Sequence, residues 1–452
     1  MWHAEEIAKA VKGALLRIDK SSFSGISTDS RTIEEGELFI PLTGKNFDGH
    51  AFIRAAYDRS HAGSICEKGR QGKLHDGGTV IIVDDAMQAL IDLAHYKKQH
   101  TKSSVIAITG SNGKTTTKEI LVNIIKKGFS VHYNEKNYNN AIGISKSILS
   151  MEGEPGFCIF ELGTNSKGEI KQLAQLTEPD VSLITNVNPS HLEGLLNLEG
   201  VLEEKLSLFY HTKEGGKVIV NADDPNILAR YKDREHVLIT YGIINKADFT
   251  LSIEKDLGWD GSRVKIKSPA GIEIKAKTAL LGKHNLYNIL AASTIANNIG
   301  ADAGLISEGI ETFDSYAMRF KPIESRKGYM VLDDTYNANP SSMEWAIKTL
   351  LDLPCNGRRM VILGDMKELG EKTSLYHREL GRFLREAGIS MTLLTGEYMT
   401  ETFEELKDGT AILFENKERL IDYAVQNLQE GDAVLVKGSR AARMEEIAEA
   451  LK

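Results

Sequence analysis

The stretch "SVIAITGSNGKTTTKEIL", residues 104–121, decides the fold of this chain. Its apolar run Val105–Ile108 predicts a buried parallel strand. Residues Thr115–Lys127 predict a helix, because apolar side chains recur on one of its faces: Ile120, Leu121, Ile124 and Ile125. A strand, a glycine turn and a helix in this order indicate an α/β domain with a ligand site at the turn.

The turn between this strand and helix carries the residue types that bind phosphate. Glycines let backbone N–H groups close around an anion, and the helix N-terminus adds the positive end of its dipole. Lys114 would reach the outer phosphates, and the Thr115 hydroxyl would ligate Mg²⁺. Ile108 stands where the general P-loop pattern has glycine, so the spacing is not the standard one. The nucleotide contacts predicted here are Gly110, Ser111, Asn112, Gly113, Lys114, Thr115 and Thr116.

Composition limits the class of protein. A length of 452 residues suggests about three domains. A net charge of −8 argues against broad nucleic-acid binding, which needs a basic face. No apolar run approaches the ~20 residues of a membrane span, and the three cysteines are scattered (Cys66, Cys158, Cys355). We therefore expect a reduced, cytoplasmic protein without stable membrane insertion.

Alternating apolar strands and helical stretches organise the chain. Short strands before residue 100 predict a small α/β domain at 1–100. The runs "VIAIT", "FCIFEL", "VSLITNV" and "KVIVN", separated by helical stretches, predict a parallel-sheet P-loop domain at 101–312. The alternation restarts with "YMVLDDTYN", "RRMVILGD", "MTLLTG" and "AVLVKG", which predicts a Rossmann-like domain at 313–452. The predicted fold class is α/β with three domains.

Three further residues stand where open α/β sheets place their ligands, near strand ends. Glu161 ends "FCIFEL" and would suit Mg²⁺ beside the phosphates. His191 follows another buried strand, and Lys205 lies fourteen residues later in "GVLEEKLSLF". Taken singly, each also has a plain explanation: a carboxylate near a helix start, a structural histidine, and a surface lysine paired with Glu203 or Glu204.

Together with the P-loop, these residues resemble the Mur ligase family, the ATP-dependent amide-forming enzymes of peptidoglycan synthesis. The resemblance is carried by "TGSNGKTTTKE", "NNAIG" (139–143), "ELGTNSKGEI" (161–170), "NVNPSHLEG" (186–194) and "LLGKHNLYNILAA" (280–292). Four more blocks point to the member that adds a dipeptide: residues 29–53, 333–343, 363–370 and 434–445. The blocks cover all three predicted domains.

The resemblance implies roles for individual residues. Lys114, Glu161, His191 and Lys205 would be catalytic, and Thr115, Glu161, His191 and Lys205 would hold one or two Mg²⁺ ions. Lys205 matches a lysine that several members carry as a carbamate formed with CO₂. Beyond the loop, the implied nucleotide contacts are Asn285, Asn288, Arg319 and Asp334. The implied substrate contacts are Ser30, Arg31, Phe47, Asp48, Gly49 and His50 for the UDP-sugar, and Tyr336, Asn337 and Asn339, with Pro340 beside them, for the dipeptide.

The resemblance implies an enzyme that uses ATP to convert a carboxylate into an acyl phosphate, which an amine then attacks. The implied substrates are UDP-N-acetylmuramoyl-tripeptide and D-alanyl-D-alanine, handled by a monomer. The chain departs from the family's commoner residues at Leu162-Gly163-Thr164, at Glu204-Lys205-Leu206 and before His191. Every charged or ligating residue is retained, so the departures bear on carbamylation and substrate preference.

Three other functions stay open on the sequence. Another amide ligase of the superfamily, adding a single amino acid or glutamylating folate, is disfavoured by "DSRTIEEGELF" (29–39) and "DDTYNANPSSM" (333–343). A catalytically silent nucleotide-binding partner would be expected to lose at least one of the four catalytic residues. A P-loop kinase or regulatory NTPase lacks any accompanying kinase or switch signature.

Overall fold

The computed structural model describes residues 1–44, 46–135, 137–232, 235–316, 318–406 and 409–452. The chain forms two compact units, the first comprising residues 1–105, 131–162 and 172–178, and the second residues 106–130, 163–171 and 179–452. Among the described residues, no helix has both the length and the apolar character needed to cross a membrane.

The N-terminal part of the first unit is a small α/β layer. Its strands are β1 Trp2–His3, β2 Ala14–Arg17, β3 Ser22–Phe23, β4 Ile26–Ser27, β5 Leu38–Phe39, β6 Thr43–Gly44, β7 Phe47–Asp48, β8 Gly63–Glu67 and β9 Thr79–Val83; its helices are α1 Ala4–Ala10, α2 Ile53–Ser60 and α3 Ala86–Gln99. Five strands form one sheet in the order β2-β9-β8-β5-β4, parallel except for β2. Leu38, Ile65 and Leu90 lie in its core.

The middle of the chain carries the phosphate loop and contributes strands and helices to both units. Its strands are β10 Ser104–Thr109, β11 Val131–Tyr133, β12 Phe157–Glu161, β13 Val181–Ile184, β14 Lys217–Asn221, β15 Val237–Gly242, β16 Phe249–Asp256, β17 Ser262–Lys267 and β18 Glu273–Thr278. Its helices are α4 Lys114–Ile125, α5 Ala141–Leu149, α6 Glu169–Thr177, α7 Leu192–Leu195, α8 Leu198–Tyr210, α9 Pro225–Arg230, α10 Lys283–Asn298 and α11 Ala303–Glu311.

Strands of the second unit follow the order β10-β13-β14-β15-β16-β17-β18. The pairs from β10 to β16 are parallel, and β16, β17 and β18 pair antiparallel. In the first unit, β11 and β12 form a parallel pair. Parallel strands need crossover connections, and the helices between them supply these.

The C-terminal part of the second unit is a further parallel sheet with one antiparallel edge strand. Its strands are β19 Lys321–Glu324, β20 Met330–Asp334, β21 Arg359–Gly364, β22 Met391–Thr395, β23 Ala411–Phe414 and β24 Ala433–Lys437, in the order β19-β20-β24-β21-β22-β23. Its helices are α12 Pro340–Asp352, α13 Thr373–Ala387, α14 Met399–Glu405, α15 Lys417–Asn427 and α16 Glu445–Ala450. One apolar cluster joins this sheet to the preceding one, with Ile184, Leu206, Leu332 and Val361 among its members.

The predicted α/β class is confirmed. The apolar run Val105–Ile108 lies inside β10, where all four residues are fully buried. The predicted helix after the turn is α4, one residue earlier at its start and two shorter at its end. Residues 246–281 contain three strands, β16 to β18.

Candidate active site

The loop from Gly110 to Gly113 requires glycine at both ends. Gly110 has φ +150° and Gly113 has φ +81°, in the region that L side chains rarely adopt. A Cβ at Gly110 would stand 1.9 Å from Thr185 Oγ1, and one at Gly113 would stand 2.2 Å from Asn288 Oδ1. The loop therefore packs too closely against its neighbours to accept any side chain at these two positions.

The segment after β13 holds this loop in shape. Ser111 Oγ donates to the Asn188 carbonyl at 2.7 Å and accepts from the Asn188 N–H at 2.9 Å. Asn186 Oδ1 accepts from the Asn112 N–H at 3.0 Å, and Thr185 Oγ1 donates to the Asn112 carbonyl at 2.6 Å. The loop is thus pre-shaped by side chains of a neighbouring strand end, as an anion-binding backbone needs to be.

Lys114 and Thr115 begin α4, where the helix dipole favours negative charge. The Lys114 ammonium donates to the Gly110 carbonyl at 2.6 Å and to the Ser111 carbonyl at 3.3 Å. The Thr115 hydroxyl accepts from Arg319 Nη2 at 3.1 Å. Both predicted phosphate-site residues therefore lie at the loop, and the predicted nucleotide contact Arg319 lies there with them.

Arg319 is itself held by an aromatic ring. Its guanidinium carbon stands 3.8 Å from the centroid of the Tyr336 ring, within cation–π distance. Tyr336 belongs to the segment predicted to hold the dipeptide. One arginine therefore contacts both predicted subsites.

A second connection joins the phosphate loop to the predicted dipeptide segment. Asn339 Nδ2 donates to Asn112 Oδ1 at 2.7 Å, and Asn112 Nδ2 donates to Ser341 Oγ at 2.9 Å. Asn339 also caps α12, because its Oδ1 accepts from the Ser342 N–H at 2.9 Å. The start of α12 is thus tied to the phosphate loop through side-chain amides.

Lys205 is buried in α8, with 1% of its surface exposed. Burial lowers the pKa of its ammonium well below the ordinary range, and the charge of Lys114 lowers it further. Glu204 is also buried, and its carboxylate accepts from the backbone N–H groups of Gly168 at 2.6 Å and Ile170 at 2.7 Å. The plain alternative, a surface lysine paired with neighbouring glutamates, is wrong, because Lys205 does not lie on the surface.

His191 lies just before the short helix α7 with a left-handed backbone, φ +52°. Its Nδ1 stands 2.8 Å from Oε2 of Glu368, off the line of a well-directed hydrogen bond. This contact lowers the pKa of the Glu368 carboxyl, against the raising effect of partial burial. The metal-site histidine predicted from the sequence therefore has a carboxylate beside it.

Glu161 lies in the first unit, at the last residue of β12, and is buried. Its Oε1 accepts from Asn139 Nδ2 at 3.0 Å, and its backbone N–H donates to Asn134 Oδ1 at 2.8 Å. Asn139 belongs to the quoted block "NNAIG". A buried carboxylate held by the amide of Asn139 is oriented and suited to bind a cation.

Asn285 and Asn288 are both buried in α10. Asn288 Nδ2 donates to Asn285 Oδ1 at 3.1 Å, and Asn288 Oδ1 accepts from Thr117 Oγ1 of α4 at 3.2 Å. The pair thus braces the helix that begins at the phosphate loop. Their contact with adenine stays a prediction.

Asp334 ends β20 and pairs with Lys437, whose Nζ stands 2.5 Å from Asp334 Oδ2. The same ammonium donates to the Asn337 carbonyl at 2.9 Å. Lys437 is almost fully buried, at 2% exposed, so this ion pair is shielded from water. It fixes the backbone just before Asn339, although the sequence analysis assigned Lys437 no role.

The predicted UDP-sugar residues lie in the first unit, and the structure gives them unequal exposure. Arg31 is exposed and forms a salt bridge with Asp29 at 2.7 Å, while Ser30 is half-buried. Phe47 is exposed and Gly49 is buried. His50 is buried, with Nδ1 2.9 Å from Asp48 Oδ1 and Nε2 accepting from the Glu67 N–H. His50 therefore orients Asp48, and Phe47 and Arg31 are the side chains open to a ligand.

Mg²⁺ prefers oxygen donors and keeps several of its waters. The Thr115 hydroxyl at the loop is such a donor, and so is the oriented carboxylate of Glu161. Within the described residues, no group of three or more His, Cys, Asp and Glu side chains forms a metal cluster.

Comparison with known proteins identifies the family. The model of the Mur ligase middle domain matches residues 108–296, and that of the Mur ligase glutamate ligase domain matches residues 318–440. The UDP-N-acetylmuramoyl-tripeptide–D-alanyl-D-alanine ligase of Bacillus subtilis is 32% identical over 98% of this chain and 96% of its own length. This chain belongs to the Mur ligase family.

Other relatives are similar to this Mur ligase over nearly its whole length. The Escherichia coli protein of the same name is 31% identical over 98% of this chain and 95% of its own. A crystal structure of MurF from Acinetobacter baumannii has a TM-score of 0.89 at 27% identity, covering 100% of this chain and 98% of its own. The MurF ligase of Thermotoga maritima in complex with ADP has a TM-score of 0.83 at 28% identity, covering 94% and 96%.

Sequence reasoning missed the residues that support the site of this Mur ligase. Thr185, Asn186 and Asn188 shape the phosphate loop, and their signal was the polar run "TNVNPS" directly after a buried strand. Glu368 lies in the block at 363–370, "LGDMKELG", yet no spacing rule connects it with His191, 177 positions earlier in the sequence.

Proposed function

We propose that this Mur ligase joins D-alanyl-D-alanine to UDP-N-acetylmuramoyl-tripeptide, consuming ATP and releasing ADP and phosphate. The observation that carries the proposal is the hydrogen bond between the side chains of Asn112 in the phosphate loop and Asn339 in the predicted dipeptide segment. It occurs in a chain that matches ligases of that name over nearly its whole length. An ATP site and an amine site belong side by side in an enzyme that activates one substrate and transfers it to another.

The chemistry divides into two steps. A carboxylate oxygen of the UDP-linked peptide attacks the γ-phosphorus of ATP, ADP leaves, and an acyl phosphate results. The amine of the dipeptide then attacks the carbonyl carbon, loses a proton, and expels phosphate to leave an amide.

The chain's own residues would support both steps by position and charge. Lys114 and the N-terminus of α4 would offset the negative charge that gathers between ATP and the carboxylate. Arg319, held against Tyr336, would add a second cation at the nucleotide. Mg²⁺ held by Thr115, Glu161 and His191 would supply further charge neutralisation at the phosphates.

Lys205 would act as a carbamate. Its neutral amine would add to CO₂ and lose a proton, which turns a cation into an oxygen ligand. Burial and the nearby charge of Lys114 both favour the neutral amine that this reaction needs. An ammonium at this place would instead repel Mg²⁺.

We also propose the domain organisation of this ligase, its location in the cell and its oligomeric state. The three larger sheets support domains at 1–100, 101–312 and 313–452, since each of them draws its strands from one of these ranges. In the first of them, Arg31 and Phe47 would contact the UDP-sugar. A ligase that consumes ATP and a UDP-linked precursor would work in the cytoplasm, here as a monomer.

The test is ADP release measured across a panel of amines with a UDP-tripeptide as acceptor. D-alanyl-D-alanine should be used far better than L-alanyl-L-alanine or free D-alanine. A site that hydrogen-bonds both the amide and the carboxylate of a dipeptide rejects an analogue that leaves those groups unpaired. Equal rates with a single amino acid would instead identify another amide ligase of the superfamily.

A further inference from the structure

The turn that carries His191 is fixed by an unusual backbone. His191 has φ +52° and ψ +35°, and its carbonyl accepts from the Leu195 N–H at 2.9 Å across α7. A non-glycine residue in this region is uncommon and costs free energy, so surrounding contacts must hold it.

The loop after β21 supplies such contacts. Glu368 also has a left-handed backbone, φ +64°, and its carbonyl accepts from the Glu193 N–H at 3.3 Å. Gly370 has φ +57°, and a Cβ there would stand 3.4 Å from the Glu193 Cα. The loop of residues 365–370, here called the 365–370 loop, therefore lies directly on the turn of His191.

The side chains meet at the same place. Glu368 Oε2 stands 2.8 Å from His191 Nδ1, within hydrogen-bond distance although not directed along a hydrogen bond. The His191 side chain is 20% exposed, so the imidazole is held within the protein rather than solvated. Because Glu368 contacts Nδ1, Nε2 is the ring nitrogen that could bind a metal ion.

We propose that Glu368 is a positioning residue for His191: its carboxylate holds the proton on Nδ1, so that Nε2 is the nitrogen presented to the metal. This inference rests on the proposed function, in which His191 is a metal ligand. Histidines that bind metals commonly donate their other N–H to a carboxylate, which fixes the tautomer and the ring orientation. Because Glu368 follows β21 and His191 follows β13, the histidine is set only while the 365–370 loop lies on its turn.

An incidental surface ion pair is the alternative, since the Glu368 side chain is 50% exposed and such pairs contribute little. The backbone contacts argue against it. The Glu193 N–H donates a hydrogen bond to the Glu368 carbonyl, and both His191 and Glu368 have a left-handed backbone. These backbone features hold Glu368 next to His191 whatever the ionic strength.

The first measurement reads the tautomer of His191 in the full chain, without ATP or metal. Nitrogen-15 NMR of histidine-labelled protein reports which ring nitrogen carries the proton, and His191→Gln identifies the signal among the twelve histidines. The wild type should carry the proton on Nδ1, and Glu368→Ala should shift it to Nε2 or to a mixture. Glu371→Ala, which removes an exposed acid three residues further on, is the matched control and should resemble the wild type.

The second measurement is Mn²⁺ binding in the presence of a non-hydrolysable ATP analogue, followed by electron paramagnetic resonance. Glu368→Ala should weaken binding on the order of tenfold or more, as loss of a carboxylate behind a metal-bound histidine does. Glu368→Asp keeps the charge but shortens the side chain, so its Mn²⁺ affinity should lie between those of the wild type and Glu368→Ala. Thermal unfolding midpoints of all variants show that each is folded.

The proposal is overturned if Glu368→Ala keeps both the wild-type tautomer and the wild-type Mn²⁺ affinity. It is also overturned if His191→Gln binds Mn²⁺ as the wild type does. Failure of the proposed function is distinguishable, because it would appear as no ligation by the wild type while both binding effects of Glu368→Ala persist.

Discussion

The side-chain amides of Asn112 and Asn339 are hydrogen-bonded: Asn339 Nδ2 donates to Asn112 Oδ1 at 2.7 Å. Asn112 belongs to the phosphate loop, and Asn339 caps the helix that follows the predicted dipeptide segment. A change at either end of this bond therefore reaches both predicted substrate sites.

Substitution of Asn339 separates these two roles. Asn339→Asp should keep the stability of α12, because aspartate caps helices as well as asparagine, but it cannot donate to Asn112. Asn339→Ala should also lose about 1 kcal/mol of unfolding free energy with the cap. Urea unfolding and the KM for ATP are the measurements, and both variants should raise that KM severalfold. A wild-type KM in Asn339→Asp would show that the amide bond does not bear on the nucleotide site.

Lys205→Ala should be inactive, and short-chain carboxylates such as formate or acetate should restore part of its activity. The added anion would occupy the space of the lost side chain and supply the oxygen ligand of the carbamate. The readout is ligation rate against carboxylate concentration. Lys114→Ala is the control, because a carboxylate cannot replace a cation at the phosphates. Normal ligation by Lys205→Ala without any addition would remove this residue from the metal site.

Glu204 should stabilise the fold more than its neighbour in sequence does. Glu204→Gln replaces one carboxylate oxygen by an amide that faces a backbone N–H at the start of α6, which should cost about 1–3 kcal/mol of unfolding free energy. Glu203→Gln is the matched control, since Glu203 is half exposed and 4.0 Å from Lys167, and should cost less than about 1 kcal/mol. Equal losses in urea unfolding would contradict this assignment.

His284 should make stability depend on pH. Its half-buried ring contacts Phe320 and Trp345, and burial lowers its pKa to about 4. Because the folded pKa lies below the unfolded one, the unfolded state binds the proton more readily. The contribution of neutral His284 to the unfolding free energy is fully present above pH 6.5. It is lost as the pH falls toward 4, which lowers the unfolding free energy by up to about 3 kcal/mol.

The measurement is the slope of unfolding free energy against pH in His284→Phe, which keeps a ring but cannot titrate. The slope between pH 6.5 and 4 should be smaller than in the wild type, whatever the change in overall stability. His100→Phe, at an exposed position, should leave the slope unchanged. Identical slopes in the wild type and His284→Phe would contradict the effect of burial.

Local pattern was enough to predict the strand and the helix on either side of the phosphate loop. The four inner residues of β10, Val105–Ile108, are all apolar, and α4 repeats its apolar residues with helical spacing, so nearby residues determine each element. The site depends on contacts between distant parts of the chain. Lys205 stands beside two glutamates in sequence, a surface pattern, and only the packing of α8 reveals its burial.

The same limit applies to the substrate residues. The motif "FDGH" suggests four equivalent contacts, but the fold buries His50 behind Asp48 and exposes Phe47. Asn285 and Asn288 likewise bond to each other inside α10, which their motif alone did not indicate. The resemblance to a family predicted which residues form the site, and their contacts required the tertiary structure.

The most direct test of the central claim is the mass of the product. The protein is incubated with ATP, Mg²⁺, D-alanyl-D-alanine and UDP-N-acetylmuramoyl-tripeptide, with Lys114→Ala as the inactive control. We predict a product heavier than the tripeptide precursor by the dipeptide less one water, with one ADP and one phosphate formed for each. ADP release with no such product, or the same product from Lys114→Ala, would contradict the account.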